Sequence, residues 1–397
     1  MQKITLIGIY DHPPEFSDRL KEIIAPADGF AGGKRHHDMV RRELPDYARW
    51  VDIVAPLSGL FDAIRENPGH WVVFASGDPL FFGIGNTLKK DFPDAEMSVF
   101  PAFNALQLLG HSLGINYGEY PVVSLTGRPW HAFDEALIQR KPRMGVLTDR
   151  NKTPAAIAER MLCFGYSGYL MHVGERMGGE QEQVASVTLQ EAVERKVEAP
   201  NCLFLEATRN PDMPRKGIPE EELEHLAGRP RMITKMPVRL TTLSLMSLHD
   251  KTVFWDIGAC TGSISLETRL AWPHLKVTAF EKREESEGII RRNAEKFGAP
   301  GIELVTGDYF LAEKDQLEPP DAVFLGGYGG AMEQLLDDVH TRLAKSGVLA
   351  FNAVSGESRE RFVQWCRSNH YQLRDPVRLM VDDHNPISIL VAVKSSF

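Results

Sequence analysis

At 397 residues the chain is too long for one ordinary hydrophobic core, so two domains are expected. Its 43% hydrophobic and 25% charged residues are those of an ordinary globular protein, and a formal net charge of −9 argues against a broad nucleic-acid-binding face. No stretch approaches a membrane span, and the first residues lack the basic region and long apolar core of a secretory leader. Cys163, Cys202, Cys260 and Cys366 form neither a CxxC pair nor a metal-ligand spacing, so a reducing cytoplasm without a bound metal is expected.

In chain order, residues 3–9 read as a strand and 16–24 as a helix. The Gly- and charge-rich stretch 26–42 holds His36-His37 beside Lys34 and Arg35, a set that could bind a metal or phosphate, but with no matching third ligand it reads as a solvated loop. Residues 57–66 are helical and stop at Asn67-Pro68-Gly69. A buried-type strand over 71–75 then runs into Ser76-Gly77-Asp78-Pro79, a corner with exposed amides and one carboxylate, although Gly-Asp-Pro is also ordinary turn chemistry. The half continues as α/β, with a helix over 104–113 and strands over 120–125 and 143–148. A helix follows from Thr153, capped by Thr153 with Pro154 in its first turn. A strand over 168–173, a short run at 184–187, a helix over 189–195 and a strand over 201–206 complete it.

Between 207 and 235, Pro211, Pro214, Pro219 and Pro230 sit among charges with few large apolar residues. This reads as a linker, with a short helix over 220–226. The expected division is a domain over 1–208, a linker over 209–233 and a domain over 234–397. The last part reads as a helix over 237–248, then strands over 253–256, 276–280, 302–305, 321–325 and 347–352 alternating with helices over 264–270, 284–297, 332–343 and 357–369. Two strands near 373–380 and 387–393 close the chain. The alternation implies a mostly parallel, doubly wound sheet with an antiparallel edge.

In such a sheet the ligand lies beyond the strand carboxyl ends, where Asp256, Glu281, Asp308 and the Gly326–Gly330 loop all fall. The small residues Gly258, Ala259 and Gly262 let a ligand approach the backbone closely. Glu281, nineteen residues beyond Gly262, is placed to accept from two ribose hydroxyls, each charge-assisted bond contributing roughly 1.5–3 kcal/mol. A dinucleotide or S-adenosylmethionine would fit. The second is favoured because the loop lacks the third glycine of a pyrophosphate cradle and Thr306-Gly307-Asp308 offers a carboxylate.

These residues carry a family resemblance. Thr234–Arg239, WDIGACTGSISLE, Ala279–Lys282, Gly307-Asp308 and FLGGYGG are similar to class I, Rossmann-like methyltransferases, more narrowly to the decarboxylating C15-methyltransferase of corrin biosynthesis. ASGDPLFFGIG, VVSLTGRP and GERMGGEQEQV resemble the tetrapyrrole methylase (class III) fold, particularly its C5-methylating members. Together they resemble the fused, bifunctional C5,15-methyltransferases of cobalamin biosynthesis. That resemblance implies S-adenosyl-L-methionine as methyl donor, a precorrin-type tetrapyrrole (with or without cobalt) as substrate, no nucleic-acid or membrane partner, and a homo-oligomer. It implies donor contacts from Thr234, from Gly258, Ala259, Cys260, Thr261 and Gly262, and from Glu281, Asp308 and Tyr309 in the second half. In the first half it implies Gly8, Gly77, Asp78 and Phe82. Gly326, Gly327, Tyr328, Gly329 and Gly330 would face the tetrapyrrole, whose carboxylates call for basic groups, foremost Arg128 and Arg239, with Arg143, Arg150 and Lys152 as further members.

Methyl transfer from a sulfonium to an electron-rich ring carbon needs positioning more than acid–base help, and no catalytic acid or base is assigned. Three departures from the family pattern stand out: Cys260 at a usual glycine, the opening GIYDHPP where a glycine-rich turn is usual, and Pro101–Ala105 at a usually hydroxyl-rich helix start. Two alternatives therefore stay open here. In one, the first half is a binding or assembly domain beside an active second half; the more remote one is an NAD-dependent oxidoreductase.

Overall fold

The computed structural model describes residues 2–210, 212–229, 232–382 and 386–395, which leaves Pro211 and Pro230 of the expected linker outside the described residues. It divides into two units: Met1–Arg128 with Pro142–Glu159 and Gly168–Thr208, and Pro129–Lys141 with Arg160–Ser167 and Arg209–Phe397.

In the first unit β1 (Lys3–Ile9), β2 (Gly29–Gly32), β3 (Trp50–Asp52), β4 (His70–Ser76) and β5 (Glu96–Phe100) form a sheet in the order β3-β2-β4-β1-β5. All neighbours are parallel. A parallel sheet is covered on both faces, so its strands must be apolar on both. Ile7, Ile9, Val72 and Phe74 pack with Phe16, Ile24 and Val40 on one side. Ile4, Leu6, Trp71 and Val73 pack with Leu60, Ile64 and Leu88 on the other. A second sheet holds β6 (Val122–Ser124), β7 (Arg143–Leu147), β8 (Tyr169–Glu175), β9 (Gln183–Thr188) and β10 (Asn201–Ala207) in the order β6-β7-β10-β8-β9, antiparallel apart from β6 beside β7. The helix Ala105–Leu113 covers it through Leu106 and Leu109. Asn104 caps that helix, its side chain and that of Gln107 each accepting the other's backbone N–H.

The second unit carries β11 (Val253–Ile257), β12 (Lys276–Glu281), β13 (Ile302–Thr306), β14 (Ala322–Leu325), β15 (Val348–Ala353), β16 (Tyr371–Leu373), β17 (Val377–Leu379) and β18 (Ile387–Lys394). Their order is β13-β12-β11-β14-β15-β18-β16, with β17 also on β18. The first five strands are parallel, and β18 runs antiparallel to β15, β16 and β17. The order reverses between β11 and β14, which opens a crevice at their carboxyl ends.

Four local expectations differ from what forms. The stretch 26–42 makes β2 and the helix Lys34–Val40, because Phe30, Ala31 and Val40 are core residues hidden among glycines and charges. The expected strand over 373–380 is two strands, separated by Arg374-Asp375-Pro376, where Pro376 has no N–H for a ladder. The expected helix over 220–226 is only a 3-10 turn, Glu220–Glu222. That Pro-rich segment is nonetheless packed on the second unit: Gly217 and Ile218 N–H groups donate to the buried Glu267 carboxylate, and Ile218, Leu223 and Leu226 are buried. The helix His131–Ile138, unmarked in the sequence reading, belongs to the second unit, where Ile138 packs with Ile218, Leu266 and Leu270.

Gly8 is a packing requirement of the first unit. A Cβ there would lie 1.8 Å from the Gly77 carbonyl oxygen and 2.6 Å from the Ala102 nitrogen. Gly8→Ala is expected to destabilise the first unit by about 3 kcal/mol or more. Gly59→Ala, in a helix with nothing within 4 Å of the added carbon, should hold or raise stability. Urea unfolding of both variants against the parent checks the contrast.

Candidate functional site

In the second unit a cavity of about 610 Å³ opens at the carboxyl ends of β11, β12 and β14. The loop after β11 is pinned there by backbone bonds: Gly258 and Ala259 N–H both donate to the Phe280 carbonyl (2.9 and 3.0 Å), and Gly326 N–H donates to the Ile257 carbonyl (2.8 Å). A Cβ on Gly258 would stand 2.7 Å from the Gly327 nitrogen, so this loop and the one after β14 meet backbone to backbone. Gly307, Gly327, Gly329 and Gly330 instead have nothing within 4 Å of an added Cβ. Of these, Gly307, Gly327 and Gly329 give the cavity an open backbone lining.

Glu281 ends β12, is buried and lines this cavity. Its Oε2 accepts the Cys260 N–H at 2.7 Å, and its Oε1 accepts from Arg283 N–H (3.0 Å) and Arg283 Nη1 (2.8 Å). Three of the carboxylate's roughly four acceptor positions are thus taken. The Arg283 side chain, about a third exposed, is the partner free to leave for a ligand hydroxyl. Asp308 lines the cavity beside Glu281; its Oδ1 accepts Phe310 N–H (3.0 Å) and its Oδ2 accepts from Lys282 Nζ (2.9 Å). Tyr309 packs its ring on Phe280 and donates its hydroxyl to Asp338.

Cys260 sits at φ +57°, the left-handed region that glycine enters freely. Its backbone N–H is held by Glu281, and its thiol donates to the Met232 carbonyl at 2.9 Å. Burial, then the Glu281 charge, push the thiol up to about 11. It stays protonated near neutrality, a tether and not a nucleophile.

The structure therefore brings Gly258, Cys260, Glu281, Asp308, Tyr309, Gly326, Gly327, Tyr328 and Gly329 to one cavity. Ala259, Thr261 and Gly262 lie buried just behind it. Thr234 and Gly330 are not among its lining residues. Arg239 is not brought there either: its side chain is wholly buried, donating to the carbonyls of Thr234 and Ile218 and paired with Glu267 at 3.4 Å. It joins the 217–239 segment to the unit and has no path to a substrate carboxylate. Sequence reasoning missed Met232, Arg283 and Gln334 in the lining. Arg283 had a signal, two residues past a strand-end glutamate.

The first unit has its own cavity, of about 510 Å³, at the ends of β1 and β4. Gly77, Asp78 and Phe82 line it. Gly77 has φ +62° and its carbonyl accepts Ala102 N–H (3.2 Å); Asp78 Oδ1 accepts Leu80 N–H (2.8 Å). Gly8 does not line the cavity but allows that close approach. Arg128 stacks at 5.4 Å on the Phe82 ring just outside the lining. Arg143 is tied to Glu119 and Glu206, and Lys152 to Asp149, while Arg150 is exposed and outside the lining. The basic residue that does line it is Arg35, with His36, from the helix Lys34–Val40. The histidine pair separates: His36 faces Ser76, whereas His37 stacks on Trp50 at 4.3 Å.

Among the comparisons with known proteins, the family models match the two halves of the sequence separately. A family model described as tetrapyrrole (corrin/porphyrin) methylases matches residues 5–193, and one described as a precorrin methyltransferase domain matches residues 228–396. The chain is 30% identical over 355 residues to a precorrin-6Y C(5,15)-methyltransferase [decarboxylating] of Sinorhizobium sp, covering 89% of this chain and 84% of that one. It is 32% identical over 155 residues to a cobalt-precorrin-6B C(15)-methyltransferase (decarboxylating) of Salmonella typhimurium, covering 38% of this chain and 79% of that one. It is 34% identical over 168 residues to a cobalt-precorrin-7 C(5)-methyltransferase of the same organism, covering 41% and 79%.

Behind the second cavity, the Asp256 carboxylate is buried inside the sheet, with Oδ2 accepting from Ser265 N–H (3.1 Å) and Ser265 Oγ (2.6 Å), and with Oδ1 unpartnered among the described residues. Burial raises its carboxyl to about 7; the Ser265 bonds oppose the shift and Glu281 adds to it. The folded chain then keeps a proton that the unfolded chain releases near its ordinary 3.8, so this group's contribution to stability falls as pH rises from about 4 through about 7. Asp256→Asn should flatten that part of the stability–pH profile. Urea midpoints at pH 5 and pH 8 for both chains measure it, and parallel profiles would contradict it.

Proposed function

The chain belongs to the family of decarboxylating precorrin-6Y C5,15-methyltransferases, and from that membership we propose that its two cavities are two methyl-transfer sites acting on one precorrin-type tetrapyrrole. The first unit's cavity would methylate C5. The second unit's would methylate C15 and release the C12 acetate carboxyl as CO₂. The observation that carries this reading is one cavity in each of two unlike α/β units, each at strand carboxyl ends where glycine backbone is brought close.

S-Adenosylmethionine, when bound, supplies a methyl group on a sulfonium, a leaving group that needs no protonation. The chain's task is then to hold donor and macrocycle in line. In the second unit Glu281 would take the ribose hydroxyls in place of the Arg283 guanidinium, while its bond to Cys260 N–H keeps the carboxylate aimed. The Gly258–Gly262 loop would lie along the amino-acid end of the donor, and Asp308 and Tyr309 beside the base. The open backbone at Gly327 and Gly329 leaves room for the macrocycle edge. In the first unit Gly77, Asp78 and Phe82 would hold the donor. Each methylated ring carbon exchanges its hydrogen, lost as a proton, for CH₃. The acetate loses CO₂ with its electron pair passing into the conjugated ring, and a proton returns to the remaining carbon. The glycine loop alone would also suit a dinucleotide, but Ser263 and Ser265 follow Gly262 where close helix packing on pyrophosphate calls for a third glycine.

Calorimetric titration of the chain with S-adenosylhomocysteine should give two equivalents. Glu281→Ala should weaken one of them at least about 100-fold, through loss of two charge-assisted bonds. With labelled donor and precorrin-6Y the parent chain should transfer two methyl groups and release one CO₂, and Glu281→Ala should transfer one and release none. A single equivalent in the parent would overturn the two-site reading.

A further inference from the structure

In the first unit's cavity, Gly33, His36, Arg35 and Ser76 form a hydrogen-bonded chain whose direction can be worked out. Gly33 N–H donates to His36 Nδ1 at 3.2 Å, so that nitrogen presents its lone pair. Burial first, then the Arg35 charge, lower the ring to about 4 against an opposing hydrogen bond to the Phe74 backbone. The ring is neutral at neutral pH, with its one proton on Nε2. Nε2 lies 2.9 Å from Ser76 Oγ and can only donate; Arg35 Nη2, also 2.9 Å from that oxygen, can only donate too. A hydroxyl has two lone pairs and one proton. Neither nitrogen can accept, so the Ser76 proton is directed away from His36 and Arg35, and no acceptor among the described residues takes it. Ser76 is the exposed last residue of β4 and lines the cavity.

Arg35 is set for the same task. Nη1 is fixed by Asp11, Nη2 reaches Ser76, and the remaining N–H groups of the fork have no partner among the described residues. Among the lining residues Arg35 alone carries a fixed positive charge. Asp11 balances that charge, so recognition would rest on aimed donors more than on net field.

We propose that Ser76 and Arg35 together anchor a carboxylate of the ligand in the first unit's cavity, with His36 acting as a positioning residue that locks the Ser76 hydroxyl as a donor. This rests on the reading of that cavity as a methyl-transfer site. Two ligands there bear carboxylates: the amino-acid end of the sulfonium donor and the acid side chains of the macrocycle. Asp78, the other carboxylate in the lining, has Oδ1 engaged by the Leu80 N–H and offers no donor.

The test titrates the full chain by calorimetry with three probes: S-adenosylhomocysteine, 5′-methylthioadenosine (the same nucleoside without the amino-acid carboxylate) and uroporphyrin, a carboxylate-rich tetrapyrrole. Ser76→Ala should weaken one carboxylate-bearing probe about tenfold or more and leave 5′-methylthioadenosine unchanged. A loss for S-adenosylhomocysteine at one of its two sites assigns the anchor to the donor; a loss for uroporphyrin assigns it to the macrocycle. Ser76→Thr, which keeps the hydroxyl on a strand, should restore the affinity to within about threefold. His36→Phe, which leaves the hydroxyl but frees its direction, should give a smaller loss for the same probe. Unaltered 5′-methylthioadenosine binding at the first unit's site certifies that each variant's first unit is folded. Two equivalents of S-adenosylhomocysteine with all affinities unchanged in Ser76→Ala would overturn the anchor alone. One equivalent and no uroporphyrin binding in the parent chain would overturn the reading of the cavity, and the anchor with it.

Discussion

The second unit depends on one short hydrogen bond at the carboxyl ends of its central strands, from Cys260 N–H to Glu281 Oε2 at 2.7 Å. It joins the loop after β11 to the last residue of β12. With the Gly258 and Ala259 bonds to the Phe280 carbonyl, it decides which backbone atoms face the cavity. The loop can bend this way only because Gly258 (φ +80°), Cys260 (φ +57°) and Gly262 (φ +74°) accept left-handed backbone. For cysteine that conformation is unfavourable, and two hydrogen bonds, one through N–H and one through the thiol, offset it.

The first unit reaches a similar end with different parts. Its parallel strands also deliver a left-handed glycine, Gly77, to a crossing so tight that Gly8 and Gly77 must both lack a side chain. There the polar work falls to a hydrogen-bonded cluster drawn from two elements, the helix Lys34–Val40 and the end of β4. In the second unit it falls to one strand-end carboxylate. In both, the buried apolar strands fix the backbone, and the polar groups that line the cavity sit where those strands run out.

That division explains how much could be read from the sequence. Alternation of apolar runs with helical spacing exposed the two α/β units, and β11, β12 and β14 with their loops announced the second cavity, because strand-end acids and glycines are contiguous in sequence. The fold of 26–42 was hidden, since β2 is only four residues long and half glycine, so its burial leaves no apolar run to detect. The same blindness concealed Arg35 and His36, whose role depends on Ser76, 40 and more residues away. Arg239 misled for the opposite reason. A cation at the start of a helix looks available in a sequence, and only the buried Glu267, 28 positions on, reveals it as structural.

The charges around the second cavity are already paired within the chain: Glu281 with Arg283, and Asp308 with Lys282. Both cations stand side by side on the turn after β12 and both are at least a third exposed, whereas Glu281 is buried. A ligand that offers hydroxyl donors to Glu281 therefore replaces a solvent-screened ion pair of small net worth with bonds in a drier place. The costly part, holding a carboxylate out of water, has been met by backbone N–H groups of Cys260 and Arg283 that do not have to move. What the chain must reorganise on binding is one surface arginine, and what it keeps is the aim of the acid.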